Sequence, residues 1–238
     1  MRTIAIVFSK APIPGAGKSR LAAEYSPLER AMIHKACLAD TVAACAEAGL
    51  ETEIRYGGGN PADFFRLLLD RESFAGFEGG LHGAIARASR FRAQAEGDLG
   101  ERMHEAFESA LARFDAAILV GSDIPGIGAG LVRDAVALLQ GADLALGPAY
   151  DGGYYLIGMK RPMRGLFEGI AWSHSDVAQR TLAAAARLGL TVGMLAPRRD
   201  LDIPDDVKAF LSDTEGDESL RRGFAWNYLA RITTRSHA

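Results

Sequence analysis

Cysteine is almost absent from this chain: its 238 residues hold two, Cys37 and Cys45. Eight positions apart on one predicted helix, they would lie about 12 Å apart along its axis, too far to pair. A disulfide scaffold is therefore excluded, and both thiols read as small core residues in a reducing compartment. Histidine is scarce as well. His34, His82, His104, His174 and His237 form neither H-x-x-x-H nor H-E-x-x-H, which argues against a zinc site. No G-x-S-x-G elbow occurs, and Ser9, Ser19 and Ser122 stand in no motif that would pair them with a base. An excess of positive charge is missing too: 27 Lys and Arg face 30 Asp and Glu, for a net charge of −3. A nucleic-acid binder is disfavoured, since few cations are free to displace counterions from a phosphate backbone. No run approaches about 18 apolar residues, so no membrane span is expected. The apolar amino terminus stops at Lys10 and the prolines, too early for a secretory h-region, and a cytoplasmic location is the expectation.

What remains is an ordinary globular composition, 48% hydrophobic and 24% charged. A chain of this length buries about 70–75% of its unfolded surface and needs no staple. Alternating apolar runs and amphipathic stretches predict strands over 3–8, 51–56, 115–121, 143–147 and 190–195. Helices are predicted from a Ser26 capping box to about 49, over 61–70 after a glycine turn, behind residue 103, over 130–139, from Ser173 and Asp176 to about 188, from Pro204 to 211, and over about 217–232. Residues 71–95 read as an excursion with a short helix at 84–91. Residues 214–219 read as a polar link, and 233–238 as a frayed end. Strand alternating with helix predicts one α/β domain over residues 1–238, with a mostly parallel sheet covered on both faces and the last helix packed on it.

The most distinctive stretch follows the first strand: Phe8-Ser9-Lys10-Ala11-Pro12-Ile13-Pro14-Gly15-Ala16-Gly17-Lys18-Ser19-Arg20-Leu21. Its prolines and glycines forbid regular structure where two Lys and one Arg arrive, which suits an anion better than a core. It is not a P-loop. The first glycine of G-x-x-x-x-G-K-[ST] would fall at Pro12, which has no amide to donate and a fixed φ. Ligands of open α/β sheets bind beyond the carboxyl ends of the strands, and Asp123, Asp151 and Asp202 follow predicted strands. Carboxylates are hard oxygen donors for Mg²⁺ or Mn²⁺, which with cationic side chains can neutralise a diphosphate leaving group. The plainer reading is that each acid caps a helix, and Asp202, two residues before Pro204, is well placed to do so.

Taken together, that loop, Glu96-Gly97-Asp98-Leu99-Gly100-Glu101-Arg102-Met103, Gly121-Ser122-Asp123-Ile124-Pro125, and Gly147-Pro148-Ala149-Tyr150-Asp151-Gly152-Gly153-Tyr154-Tyr155 resemble a bacterial glycosyltransferase-like family. This is the DUF2064-like transferase 1 associated with radical-SAM and selenodomain proteins. Asp200-Leu201-Asp202-Ile203-Pro204 extends the likeness. The resemblance implies a nucleotide-diphospho-sugar transferase of GT-A (Rossmann-like) fold, similar also to the molybdenum-cofactor and phospholactate guanylyltransferases. It implies that Lys10, Gly15, Lys18 and Arg20 hold nucleotide phosphates, that Asp123 and Asp202 hold Mg²⁺ or Mn²⁺, and that Lys18, Asp123 and Asp151 act in catalysis. It gives Asp98, Arg102 and Tyr154 to the base, sugar or acceptor end of the cleft. The implied activity is glycosyl transfer from a nucleotide-sugar to a small-molecule acceptor. Nucleotidyl transfer from an NTP and nucleotide binding without turnover are the alternatives. Trp172-Ser173-His174-Ser175-Asp176-Val177 departs from the family in carrying His174 where Thr is usual.

Overall fold

A computed structural model of the chain describes residues 1–57, 62, 64, 83, 85, 88, 90–172 and 174–235. The apolar run at the amino terminus forms β1 (Thr3–Lys10), two residues longer than the hydrophobic pattern predicts; Pro12 then ends the ladder. β1 alternates between two cores. Ala5 and Val7 face one cluster and Ile4 and Ile6 the other, all within 1% of complete burial. Burying such an aliphatic side chain stabilises the fold by about 1.5–3 kcal/mol.

The first core lies under α1 (Pro27–Glu47), which begins as the sequence predicts. The Ser26 hydroxyl accepts from the Glu29 amide, the Glu29 carboxylate accepts from the Ser26 amide, and Pro27 stands at the first helical position. β2 (Glu51–Gly57) pairs with β1, and β3 (Arg90–Ala93) pairs with β2 at the sheet edge. The predicted helix over 84–91 is corrected at its end, because Phe91 is in β3. Ile85 within that predicted helix is helical; residues 65–82, 84, 86, 87 and 89, and with them most of the excursion and of the helix expected at 61–70 beyond the helical Ala62 and Phe64, lie outside the described residues.

α2 (Leu99–Leu111) buries Met103, Ala106, Phe107 and Ala110 in the second core, and β4 (Ala116–Gly121) runs parallel to β1 in the centre. α3 (Ala129–Gly141) returns on the first face to β5 (Leu144–Pro148). β6 (Tyr154–Met159) follows after residues 149–153, far shorter than the roughly dozen residues of a parallel crossover. It is accordingly antiparallel to both β4 and β5. α4 (Val177–Arg187) and β7 (Val192–Met194) complete one seven-stranded sheet of order β3-β2-β1-β4-β6-β5-β7, with every other pairing parallel. The expected α/β architecture with helices on both faces is the observed one.

Two caps differ from expectation. Asp176 stands at the amino end of α4 but makes no capping bond, its carboxylate being held by Arg180 Nε at 2.7 Å; Ser173 lies outside the described residues. The carboxy-terminal helix is broken into α6 (Glu218–Arg221) and α7 (Phe224–Arg235), after α5 (Pro204–Asp213). The break is fixed by Asp40 of α1, which accepts from the Phe224 and Ala225 amides at 2.7 and 2.9 Å. A Cβ at Gly223 would sit 3.0 Å from that carboxylate, so glycine admits it.

Candidate functional site

β1 and β4 end side by side, Phe8 opposite Gly121, and both chains then turn away from the sheet. Between them opens a cleft of about 170 Å³ lined by Lys10, Lys18, Arg30, His34, Asp123 and Asp202, together with the backbone of 11–13 and 16–17. The sequence thus brings four of its proposed site residues, Lys10, Lys18, Asp123 and Asp202, to one place. The volume is below the roughly 300–1,000 Å³ of a typical small-molecule site. It suits a diphosphate headgroup rather than a whole nucleotide-sugar.

Lys18 is the centre of the cleft. Its side chain is only 6% exposed, and its Nζ lies 3.3 Å from Asp123 Oδ1 and donates to the Leu201 carbonyl at 3.0 Å. Burial lowers the Lys18 pKa, but the Asp123 carboxylate outweighs it and raises the pKa above the usual lysine value. The backbone of Lys18 is left-handed, φ 48° and ψ 45°; among the described residues no other non-glycine has a positive φ. Such a conformation costs about 1–3 kcal/mol and persists where the surroundings impose it. Here Arg30 Nη1 reaches the Gly17 carbonyl at 3.3 Å and the Lys18 carbonyl at 3.5 Å, and a 3₁₀ turn, Ser19–Ala23, takes up the chain beyond.

Asp123 has a second neighbour, His34. His34 Nδ1 is 2.9 Å from Asp123 Oδ1, while its Nε2 is 3.1 Å from both the Lys10 carbonyl and Ser9 Oγ. The Ser9 hydroxyl donates to that same carbonyl, so the ring is held between Asp123 on one side and the end of β1 on the other. Desolvation by the surrounding protein pushes the Asp123 carboxyl up, but Lys18 and then His34 overcome it and hold the group well below the usual carboxylate range. The side chain is nonetheless 55% exposed, open to the cleft.

Asp202 does not cap α5. That task falls to Asp206, whose carboxylate accepts from the Asp202 and Ile203 amides at 3.1 and 2.9 Å. The Asp202 carboxylate instead faces Arg20 Nη1 at 3.5 Å. Asp200 stands in the same turn, pushed up to about 6 by burial and then by the Asp202 and Asp151 carboxylates. Asp151 is near enough to Asp200 to act on it but does not line the Lys18 cleft. Its Oδ1 accepts from the Gly153 amide at 2.8 Å in the β5–β6 hairpin.

Other proposed residues lie apart. Gly15 turns the loop with φ 87° but is not among the residues lining the cleft. Asp98 caps α2, accepting from the Glu101 amide at 2.9 Å. Arg102 donates to Gln94 Oε1 at 2.7 Å, and Gln94 in turn donates to the Ser9 and Arg55 carbonyls on β1 and β2. Tyr154 is packed in the second core, its hydroxyl 3.7 Å from Met103 Sδ. Sequence reasoning did not find Arg30, His34 or the Leu201 carbonyl. The signal for the first two was present: Arg30 and His34 are four apart on α1 and share a stripe with the buried Cys37.

The family model described as "Uncharacterized protein conserved in bacteria" (DUF2064) matches residues 41–174, more than half of the chain. The chain belongs to this family. Among solved structures, a proposed nucleotide-diphospho-sugar transferase from Desulfovibrio desulfuricans G20 is 32% identical, with 98% of this chain and 96% of that one covered and a TM-score of 0.82. The inositol-1-phosphate CTP transferase from T. maritima shares the fold at 12% identity, over 94% and 97% of the two chains, with a TM-score of 0.55. A manganese complex of Rv0371C from Mycobacterium tuberculosis H37Rv shares it at 16% identity, over 89% and 99%, with a TM-score of 0.51. No curated protein matches the DUF2064 chain in sequence.

Proposed function

We propose that this DUF2064 chain is a Mg²⁺- or Mn²⁺-dependent transferase that moves a glycosyl group from a nucleotide-diphospho-sugar to a small-molecule acceptor. The observation that carries this reading is the convergence of Lys10, Lys18, Asp123 and Asp202 on one cleft beyond the carboxyl ends of β1 and β4. The 32% identical relative named as a nucleotide-diphospho-sugar transferase supports it. In this reading Lys10, Lys18 and Arg20 hold the diphosphate, and its remaining parts extend out of the cleft.

A divalent ion fits the donor set. Among the described residues no three His, Cys, Asp or Glu side chains form a cage, so the protein would offer the Asp123 and Asp202 carboxylates. Mg²⁺ is commonly held by one or two carboxylates with phosphate oxygens and water completing its shell. When bound, the ion would neutralise charge developing on the leaving diphosphate. In this reading Asp151, whose charge helps raise the Asp200 carboxyl, would take the proton from an acceptor hydroxyl. Among the described residues no helix is long and apolar enough to cross a membrane.

Nucleotidyl transfer is favoured by one observation. Lys10, Lys18 and Arg30 line a cleft with only two carboxylates, and the buried Arg30 Nε has no partner among the described residues, which suits the greater charge of a triphosphate. Incubation with Mg²⁺, a panel of UDP-, GDP- and ADP-sugars, and the NTPs separates the readings. Nucleoside diphosphate from a sugar donor is the expected product. Pyrophosphate from an NTP would replace glycosyl by nucleotidyl transfer, and absence of either product would leave a nucleotide-binding protein.

A further inference from the structure

The ammonium of Lys18 occupies a place built for a cation. It is enclosed by the Asp123 carboxylate at 3.3 Å and the Leu201 carbonyl at 3.0 Å, with Asp202 lining the same cleft. Those are oxygen donors from two distant parts of the chain, a hard-cation set in which the positive charge is supplied by a side chain. Resting on the transferase reading, we propose that Lys18 is a tethered counter-cation. Its ammonium fills the seat formed by Asp123 and the Leu201 carbonyl in the nucleotide-free protein, and a divalent ion takes that seat only when phosphate draws Lys18 away.

Three observations carry this. His34 Nδ1 and the Lys18 ammonium already crowd Asp123 Oδ1 at 2.9 and 3.3 Å, so a divalent ion seated between that oxygen and the Leu201 carbonyl must displace the ammonium. Lys18 is almost wholly enclosed, so drawing it off Asp123 without a new anion leaves a charge unpartnered in the protein, which is strongly unfavourable. A metal alone does not meet that cost; a phosphate does, by giving the ammonium another partner. The loop is also held under tension, because Lys18 adopts its left-handed backbone under the grip of Arg30 on the Gly17 and Lys18 carbonyls. The ammonium is thus carried on a backbone that its surroundings impose rather than one a lysine prefers. His34 stays on Asp123 through Nδ1 and keeps the carboxylate oriented while Lys18 moves.

Metal and phosphate must then bind cooperatively, each tightening the other by the same factor. The test uses Mn²⁺ alone, titrated by electron paramagnetic resonance against the full chain without nucleotide. Lys18→Met removes the competing charge and keeps the length of the side chain, and it is expected to bind Mn²⁺ at least about tenfold more tightly than the parent. Lys18→Arg keeps a cation and should bind as weakly as the parent, and Asp123→Asn added to Lys18→Met should abolish the gain. Lys18→Gln, also neutral, serves if circular dichroism shows Lys18→Met unfolded. The inference is overturned if the neutral variant binds Mn²⁺ no better than the parent, or if Lys18→Arg gains as much, which would make loop loosening rather than charge the cause. No donor enters this assay. A gain in Mn²⁺ affinity with no product from any nucleotide removes the transferase reading alone, and product formation without the gain removes the counter-cation alone.

Discussion

Two glycine-rich, charged stretches of this chain use their charges in opposite ways. In residues 10–20, Lys10 and Lys18 reach a cleft, and a left-handed backbone is imposed on a lysine rather than relieved by glycine. In residues 94–103 the charges are consumed by the fold. Asp98 and Glu101 cap α2 reciprocally, Arg102 holds Gln94, and Gly100 admits the Trp172 ring. Composition does not tell the two apart. What distinguishes them is whether a charged group's partners are backbone amides of its own turn or charges brought from elsewhere in the chain.

The largest effect expected from this contrast is at Asp123. Asp123→Asn should lower turnover by ~100-fold or more with the fold retained, as loss of one charge-stabilising group does in other enzymes; turnover equal to the parent would take Asp123 out of the chemistry. Next comes glycine. A Cβ at Gly100 would lie 2.6 Å from the Trp172 ring and 3.1 Å from the Phe167 carbonyl, so Gly100→Ala should cost ~2 kcal/mol in urea unfolding. Gly17→Ala, where no atom lies within 4 Å of the added Cβ, should stay within ~0.5 kcal/mol. Asp98→Ala removes a cap and should cost ~1 kcal/mol.

The smallest effect is one of pH. Asp40, unlike the half-open Asp123, is an enclosed carboxylate whose partners are backbone amides, and burial pushes it up to about 6. Between the unfolded value of about 4 and the folded value, the native state holds more protons, so stability falls as pH rises through that window. Asp40→Asn should flatten the dependence of Tm between pH 4 and 6. The sign is reversed at Asp123, whose lowered pKa adds stability that is present above about pH 4 and lost as pH falls through the folded value. Acid titration of Asp123→Asn should lack that loss.

Much of the fold was legible. Apolar runs located β1 and β4, the Ser26 and Glu29 pair located the start of α1, and the five residues between β5 and β6 contain the reversal of direction. β3 was not legible, because Arg-Phe-Arg-Ala at a sheet edge is four residues long and has no fully buried position. Within the site, Lys10, Lys18, Asp123 and Asp202 could be named from residue type and place. His34 could not, since its role depends on Asp123, 89 positions away.

The sequence by itself determined the alternation of strands and helices, the charges that follow the strands, and the spacing that keeps Cys37 and Cys45 from pairing, because these depend on local periodicity and residue type. Only the tertiary structure decided that Asp202 faces Arg20 while Asp206 caps, that Asp98 is engaged in a cap, and that Lys18 rests on Asp123 and a carbonyl 183 residues away. A backbone carbonyl has no identity in a sequence, and whether a charge is neutralised or available depends on distances that chain order does not fix.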